Sequence, residues 1–458
     1  MASARVFRWF LRPTRLIWAL AAVLLVVGVV RTVDHAIMLG GLRDGPTARW
    51  SIPCSGGGQS VVVVGAVVVV PDATAVFAVD RASGRPVWRR DMASEYTMTV
   101  AGDLIVLTES KLGLLDVVDA ATGATRWRLE QGQSTPVVYR DAVYLVDCQN
   151  TSVVPRTGCA VTARNIRDGA AVWTTPGTTY SITQDAVGAR PPYAPVAGAY
   201  LAASVDQGET PFGLVETATG RVLAGRIRLD GWYELAVGKQ VVGINNDPPS
   251  GDGRCTVRVV AFDGVTGAAA WSAEVFSGRD DNGGCHHALG PSAPHGFRLI
   301  GGGTRIAAVT DSGLPQLFDL ATGAAMWTAT QTGVPVDGDD RCVLVRDHFE
   351  TGGLRLLDAA TGAVRWSAPD PGMSFVSASW ETSVTGRLVA ITGVKEGRLF
   401  VLVYDLATGR RLGRFPSWLS GAGDDWVAVN RSTHGTHGVL DFIELRAGAS
   451  RYTPASVR

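Results

Sequence analysis

The chain has 458 residues, of which 46% are hydrophobic, 18% are charged and 55 are glycine, and this composition excludes a disordered chain and a coiled coil. The 42 basic and 42 acidic residues cancel, but residues 1–30 hold four arginines and no acid, so the rest of the chain carries a net charge of −4. A mildly acidic body lacks the clustered basic residues that nucleic acids and anionic lipids require, so we expect no nucleic-acid partner.

An apolar run covers residues 16–30 and follows the four arginines. Its length falls short of the roughly 20 residues that cross a bilayer, but Trp9, Phe10 and Leu11 can extend the span. The sequence therefore predicts a transmembrane signal-anchor helix over residues 16–31, with residues 1–15 in the cytoplasm and the body outside the plasma membrane. The alternatives are a cleaved secretory signal, although no small-x-small site follows the run, and a buried helix of a soluble protein.

A unit made of an apolar strand, Asp, two residues, Thr-Gly, three residues and Trp recurs nine times at intervals of 39 to 56 residues. Its acid can start a turn by accepting backbone N–H groups, its glycine can adopt the positive φ that closes a hairpin, and its tryptophan can pack against the next unit. Asn165 and Glu216 replace the Asp in two copies, the copies at Glu216 and Asp405 lack the Trp, and the ninth copy, Glu444–Gly448–Tyr452, is degenerate. We interpret the following repeat residues as structural: Asp80, Gly84, Trp88, Asp119, Gly123, Trp127, Gly169, Trp173, Gly220, Asp263, Gly267, Trp271, Asp319, Gly323, Trp327, Asp358, Gly362, Trp366, Asp405 and Gly409.

The repeat spacing is typical of the four-stranded blades of a propeller, which need about 40–50 residues each. The sequence therefore predicts an all-β propeller over residues 48–453, after a juxtamembrane linker at 32–47 and before a tail at 454–458. If the first and last units share one blade, nine hairpins make eight blades, which is the predicted count. Seven or nine blades, or an open solenoid, are the alternatives. Because residues 48–53 resemble residues 364–369, the N-terminal strand is expected to take a Trp-bearing outer position.

Six cysteines agree with an oxidising compartment, and none lies in a CxxC pair. Cys148 and Cys159 flank a connection between two predicted strands and are the best candidates for a disulfide bond. Cys255 and Cys285 flank the fifth repeat, which leaves Cys54 and Cys342 as a third pair by elimination or as buried thiols.

The pattern strand-Asp-x-x-Thr-Gly-x-x-x-Trp resembles the pyrroloquinoline quinone (PQQ)-like propeller repeat over about residues 48–453. That family includes quinoprotein alcohol dehydrogenases, which carry a disulfide between adjacent cysteines beside the quinone, a calcium shell and a catalytic Asp. This chain has no Cys-Cys dipeptide and no position that matches the other two features, so we expect no cofactor. The family also includes BamB-type proteins, and resemblance to them implies a cofactor-free propeller that works at a membrane through protein contacts.

Three polar segments, at residues 246–253, 280–287 and 337–340, could be considered for a metal ion. None has the spacing of an EF-hand loop, and we interpret them as polar turns and loops, as we do His434 and His437. The sequence contains no G-x-S-x-G, Walker or H-E-x-x-H motif. We therefore expect no catalytic residue and no metal site.

These observations predict a membrane-anchored, extracytoplasmic propeller that binds or scaffolds another protein of the cell envelope and is not an enzyme. The alternative is an extracytoplasmic enzyme, or a quinone- or sugar-binding protein, with a site in the central funnel. Recognition is expected in the long irregular segments at 174–200, 246–255 and 276–298, because loops on a rigid scaffold commonly carry function.

Overall fold

The computed structural model describes most of the chain from residue 45 to residue 445. The described residues are 45–55, 60–93, 95–109, 111–130, 136–139, 141–150, 157–176, 182–183, 199–204, 211–228, 233–247, 254–279, 298–300, 304–347, 352–372, 374–375, 382–432 and 438–445. The predicted anchor helix at 16–31 lies outside them. Within the described ranges, no helix is long and apolar enough to span a membrane.

The described residues form nine antiparallel sheets, each of which is one blade of a propeller. In chain order, blades 1 to 3 contain β2 (Val62–Val64), β3 (Val67–Asp72), β4 (Ala75–Asp80) and β5 (Pro86–Asp91); β6 (Thr97–Ala101), β7 (Leu104–Glu109), β8 (Leu114–Asp119) and β9 (Thr125–Glu130); and β10 (Val137–Tyr139), β11 (Ala142–Asn150), β12 (Thr157–Asn165) and β13 (Ala171–Pro176).

Blades 4 to 6 follow the same order of four strands. They contain β14 (Ile182–Thr183), β15 (Tyr200–Ser204), β16 (Pro211–Glu216) and β17 (Ile227–Arg228); β18 (Tyr233–Val237), β19 (Gln240–Asp247), β20 (Arg254–Asp263) and β21 (Ala269–Arg279); and β22 (Arg298–Ile300), β23 (Arg305–Val309), β24 (Pro315–Asp319) and β25 (Ala325–Thr328).

Blades 7 to 9 complete the ring, and blade 8 has a divided inner strand because β30 and β31 both pair with β32. They contain β26 (Val334–Gly338), β27 (Cys342–Arg346), β28 (Leu354–Asp358) and β29 (Val364–Ala368); β30 (Ser374–Phe375), β31 (Thr382–Val384), β32 (Leu388–Lys395), β33 (Arg398–Asp405) and β34 (Arg411–Phe415); and β35 (Trp418–Ala422), β36 (Trp426–Ser432), β37 (Gly438–Glu444) and β1 (Trp50–Cys54).

The predicted count of eight blades is wrong, because the nine repeats build nine blades in the described structure. The first and last units do not share a blade. Instead β1, which precedes the first repeat, pairs with β37 and serves as the outer strand of blade 9. The expected outer position of the N-terminal strand is thereby confirmed, and the ring is closed by residues from the two ends of the propeller.

The repeat tryptophans lock neighbouring blades together. At seven of the nine joints, a Cβ atom added to the repeat glycine would lie 2.4 to 2.7 Å from the tryptophan ring of the preceding blade, so only glycine leaves room for the ring. The pairs are Trp50–Gly84, Trp88–Gly123, Trp127–Gly169, Trp173–Gly220, Trp271–Gly323, Trp327–Gly362 and Trp366–Gly409. In six of them the indole N–H also donates to a backbone carbonyl of the next blade.

Two joints use other contacts where the repeat lacks its tryptophan. At the joint of blades 4 and 5, Ala224 has the tryptophan position, and the backbone of Gly225 donates to the carbonyl of Gly264 at 3.0 Å. At the joint of blades 8 and 9, Gly413 has that position, and Gly45 lies against it. The N-terminal segment therefore replaces a missing side chain there.

The repeat acids close the turns as the sequence predicts. In the turn at Asp358, Oδ1 accepts from the backbone N–H and the hydroxyl of Thr361, both at 3.0 Å. The N–H of Gly362, whose φ is +72°, donates to the carbonyl of Asp358 at 2.8 Å. The hydrogen bond from Arg365 lowers the pKa of Asp358 to about 2, and the same kind of bond from Arg126 lowers the pKa of Asp119.

We expect these turns to make the propeller lose stability in acid. A folded pKa of about 2 for Asp358 lies below the value of about 3.9 for an unfolded Asp, so its contribution to stability is complete above about pH 4 and is lost as pH falls towards about 2. Urea unfolding between pH 5 and pH 2 should show a flatter pH dependence for Asp358→Asn than for the wild type. An identical dependence would contradict the assignment.

Candidate functional site

The connections between strands lie on two opposite faces of the propeller. Each blade is a four-stranded antiparallel sheet, with a divided inner strand in blade 8. The connections from the first to the second strand and from the third to the outer strand lie at one end, which we call the turn face. The connections from the second to the third strand and from one blade to the next lie at the opposite end, which we call the loop face. The turn face carries the tight Asp-Thr-Gly turns. One long connection also belongs to this face, residues 184–198 between β14 and β15 of blade 4, and it is outside the described residues.

Long connections gather on the loop face. The chain segments that join described strands there include residues 177–181, 205–210, 248–253, 280–297 and 433–437, none of which the structure describes. Of the segments in which recognition is expected, 246–255 and 276–298 therefore connect strands at the loop face, and 174–200 has connections at both faces. The polar segment 280–287 and His434 and His437 are outside the described residues.

Two cysteines at strand ends on the loop face are disulfide-bonded, namely Cys159 and Cys255. Cys148 lies directly opposite Cys159 in the register of β11 and β12, and Cys255 lies opposite Gly278, near the end of β21. The pairings Cys148–Cys159 and Cys255–Cys285 stay predictions, because the side chains of Cys148 and Cys285 are outside the described set.

The third pair expected by elimination, Cys54 with Cys342, is not a disulfide bond. Both residues are described, and both are buried thiols. Cys54 ends β1 on the loop face of blade 9, whereas Cys342 begins β27 on the turn face of blade 7, so their sulfur atoms cannot meet. The Cys54 thiol lies 3.9 Å from Oδ1 of Asp72 and the Cys342 thiol lies 3.2 Å from Oδ1 of Asp339.

Alkylation of the native protein is expected to leave Cys54 and Cys342 unmodified. Burial and the neighbouring Asp339 raise the pKa of Cys342 to about 12, and a buried neutral thiol reacts poorly because the thiolate is the nucleophile. Peptide mapping without reduction should find these two cysteines labelled only after unfolding and the other four in disulfide-linked peptides. Modification of Cys342 in the folded state at pH 8 would contradict the assignment.

Charged residues near the funnel occur on the inner strands of blades 6 and 7. Asp337 on β26 accepts from the backbone N–H of Val384 on β31 at 2.9 Å, and Arg298 on β22 donates to the carbonyl of Val336 at 3.3 Å. Burial lowers the pKa of Arg298. Burial and the charge of Arg298 lower the pKa of Arg346 to about 10. Arg298 and Arg346 are therefore close enough to interact electrostatically, and Asp337 also acts on Arg298.

The segment at 337–340 covers the end of β26 and the start of the turn that leads to β27. Asp339 accepts from the backbone N–H groups of Arg341 and Cys342 at 2.8 and 3.0 Å. In the described part of the chain, no group of three or more His, Cys, Asp or Glu side chains is arranged to hold a metal ion.

The structure also buries charged residues that were not predicted from the sequence. Asp116 is 3% exposed and accepts from Arg90 of the preceding blade and from Arg128 of its own blade, each at 2.6 Å. Asp441 is 3% exposed and accepts from Ser51 at 2.6 Å and Arg431 at 2.9 Å. The signal was a second acid inside an otherwise apolar strand, three residues before the repeat acid that ends it, as in LLDVVD and VLDFIE.

Comparison with known proteins gives a family match. The family model described as outer membrane protein assembly factor BamB matches residues 32–273 and 256–417. A search of curated proteins finds no match.

Solved structures that match this chain do so at low sequence identity. BamB from Moraxella catarrhalis is 17% identical, with 87% of this chain and 100% of that chain covered and a TM-score of 0.42. A europium-containing methanol dehydrogenase is 14% identical, with 86% and 85% covered and a TM-score of 0.40. The quinohemoprotein alcohol dehydrogenase ADHIIG from Pseudomonas putida HK5 is 13% identical, with 87% and 75% covered and a TM-score of 0.40.

Proposed function

Because this chain belongs to the BamB-type family of PQQ-like-repeat propellers, we propose that it is a membrane-anchored, extracytoplasmic scaffold whose loop face binds another protein of the cell envelope. The anchor is the apolar segment at 16–31, and the plasma membrane is the proposed location. The proposed site is a surface and contains no catalytic residue.

The observation that carries this proposal is the unequal distribution of connections between the two faces. The turn face is built mainly from short turns whose polar groups bond to one another. The loop face receives nearly all the long connections, and two disulfide-bonded cysteines lie at the strand ends beside them. Long connections on a rigid scaffold are typical of recognition surfaces.

The blade joints support a binding role because they make the scaffold rigid. Seven tryptophan rings lie on glycines of the next blade, so neighbouring blades cannot slide without breaking close contacts. A rigid support reduces the conformational entropy that a binding surface loses when it meets a partner.

Site-specific photo-crosslinking in cells tests this proposal. A photoreactive residue should be placed at the exposed loop-face positions Leu112, Gln331 and Glu396, and, as matched controls, at the exposed turn-face positions Ala121 and Ala360. We expect loop-face positions to capture a defined envelope protein and turn-face positions not to capture it. Deletion of residues 280–297 should reduce that capture. Equal capture from both faces would contradict the proposal.

The second candidate, a small-ligand site in the funnel, is favoured by the half-buried Arg298 beside the buried Arg346, since neighbouring guanidinium groups suit an anionic ligand. The two candidates differ in their response to PQQ, which carries carboxylates. We expect the purified protein, given PQQ with calcium, to show no stoichiometric change in the quinone absorbance and no dye reduction with alcohols. Stoichiometric binding with turnover would overturn the scaffold proposal.

A further inference from the structure

The first described residues show where the chain enters the propeller. Trp50 pairs with Phe442 near the end of β37, and Cys54 pairs with Gly438 at its start. Because β37 runs from the loop face to the turn face, β1 runs from the turn face to the loop face. The chain therefore reaches β1 from the turn face.

The residues before β1 are held at the same face. Arg49 forms an ion pair with Glu444 and donates from Nε to the carbonyl of Ala82, in the first repeat turn, at 2.7 Å. A Cβ atom on Gly45 would lie 2.8 Å from Cα of Gly413, the third residue of β34. Residues 45–49 thus run along the outer edge of blades 8, 9 and 1, and Arg49 lies at the turn face.

Little chain separates this edge from the proposed anchor. Between residue 31 and Gly45 there are 13 residues, and a flexible chain of that length has a root-mean-square span of about 20 Å. Passing to the loop face would require crossing at least the length of a five-residue strand, about 17 Å, in addition to the gap from the membrane.

In two of the repeat turns the basic partner of the repeat acid is more exposed than the acid. The side chain of Arg126 is 51% exposed against 14% for Asp119, and that of Arg221 is 68% exposed against 25% for Glu216. The acids are turned inward by their turn hydrogen bonds. The tips of these two turns present guanidinium groups, which pair well with phosphate, although the same face also exposes Asp103 and Asp425.

From the entry of the chain into β1 at the turn face and the length of the linker, we infer that the turn face lies against the phospholipid headgroups and the loop face points away from the membrane. This inference rests on the proposed anchor. It assigns a different neighbour to each face: the lipid surface to the turn face, and the protein partner to the loop face.

Energy transfer in vesicles tests the orientation with the full-length chain. Single cysteines are placed at the exposed turn positions Ala407 and Ala218, which are equivalent in blades 8 and 4, and at the exposed loop-face positions Lys395 and Ser312. Each is labelled with a donor, and the protein is reconstituted into phosphatidylethanolamine–phosphatidylglycerol vesicles with acceptor-labelled headgroups. Labelling of the wild type measures the background from its own cysteines.

We expect transfer from Ala407→Cys and Ala218→Cys to be about twofold or more above that from Lys395→Cys and Ser312→Cys, since the faces are separated by at least a strand length. Equal or reversed efficiencies overturn the orientation. High transfer from blade 8 alone overturns it as well, because the propeller would then stand on its rim. Failure of the protein to float with vesicles overturns both the anchor and the orientation, whereas flotation with the wrong order of efficiencies overturns only the orientation.

Discussion

Replacing Trp366 with alanine is expected to lower the free energy of unfolding by about 3–5 kcal/mol, the usual cost of truncating a large buried aromatic side chain. Trp366 is 8% exposed, donates to the carbonyl of Leu406 at 2.8 Å and has its ring centroid 6.2 Å from that of Tyr404. Urea unfolding followed by tryptophan fluorescence and circular dichroism measures the change. Trp127→Ala should cost less, because Trp127 is only partly buried.

Glycine variants separate the packing contact from the backbone conformation. Gly409 has φ +69°, and an added Cβ would lie 2.6 Å from the Trp366 ring. Gly397 has φ +72°, but an added Cβ would meet nothing within 4 Å. Alanine at 397 should cost about 1 kcal/mol, as a residue with positive φ does, and alanine at 409 clearly more. Equal costs would mean that the ring does not lock the blades.

Removal of the closing strand is expected to be more damaging than any single substitution. A chain that begins at residue 45 should fold, whereas one that begins at residue 56 lacks β1 and leaves the backbone of β37 without its partner. It also loses Trp50, whose ring stacks on Phe442 at 4.8 Å and fills the space over Gly84. Together with the lost ladder hydrogen bonds, we expect a loss of more than about 5 kcal/mol.

Chemical denaturation and size-exclusion chromatography of the two truncated chains provide the measurement. Equal stability of both would contradict closure of the ring by β1.

A point substitution tests the same closure without truncation. Asp441→Asn should cost about 2–3 kcal/mol, because it weakens charged hydrogen bonds to Ser51 and Arg431. Asp425→Asn is the matched control, since the carboxylate of Asp425 is 52% exposed and pairs with Arg81 at the surface.

Local interactions explain what could be predicted from the sequence. The bond from the N–H of Gly123 to the carbonyl of Asp119 spans four residues, and the acid and Thr122 of the same turn complete it. Such a turn has the same conformation wherever its pattern occurs, so the repeat, the hairpins and the all-β propeller could be derived from the spacing alone. The tryptophan at a fixed distance from each glycine indicated that units pack on one another.

Long-range contacts decided the rest. The sequence alone could not choose between eight and nine blades, because the count depends on whether β1 pairs with β37, and Ser51 and Asp441 are 390 residues apart. The same reason applies to Cys54 and Cys342: elimination paired them, but the ring places them in different blades and on different faces. The sequence by itself determined the repeated unit, because each turn is stabilised by its own residues. Only the tertiary structure decided the closure of the ring and the face at which the chain enters, because both depend on contacts between distant segments.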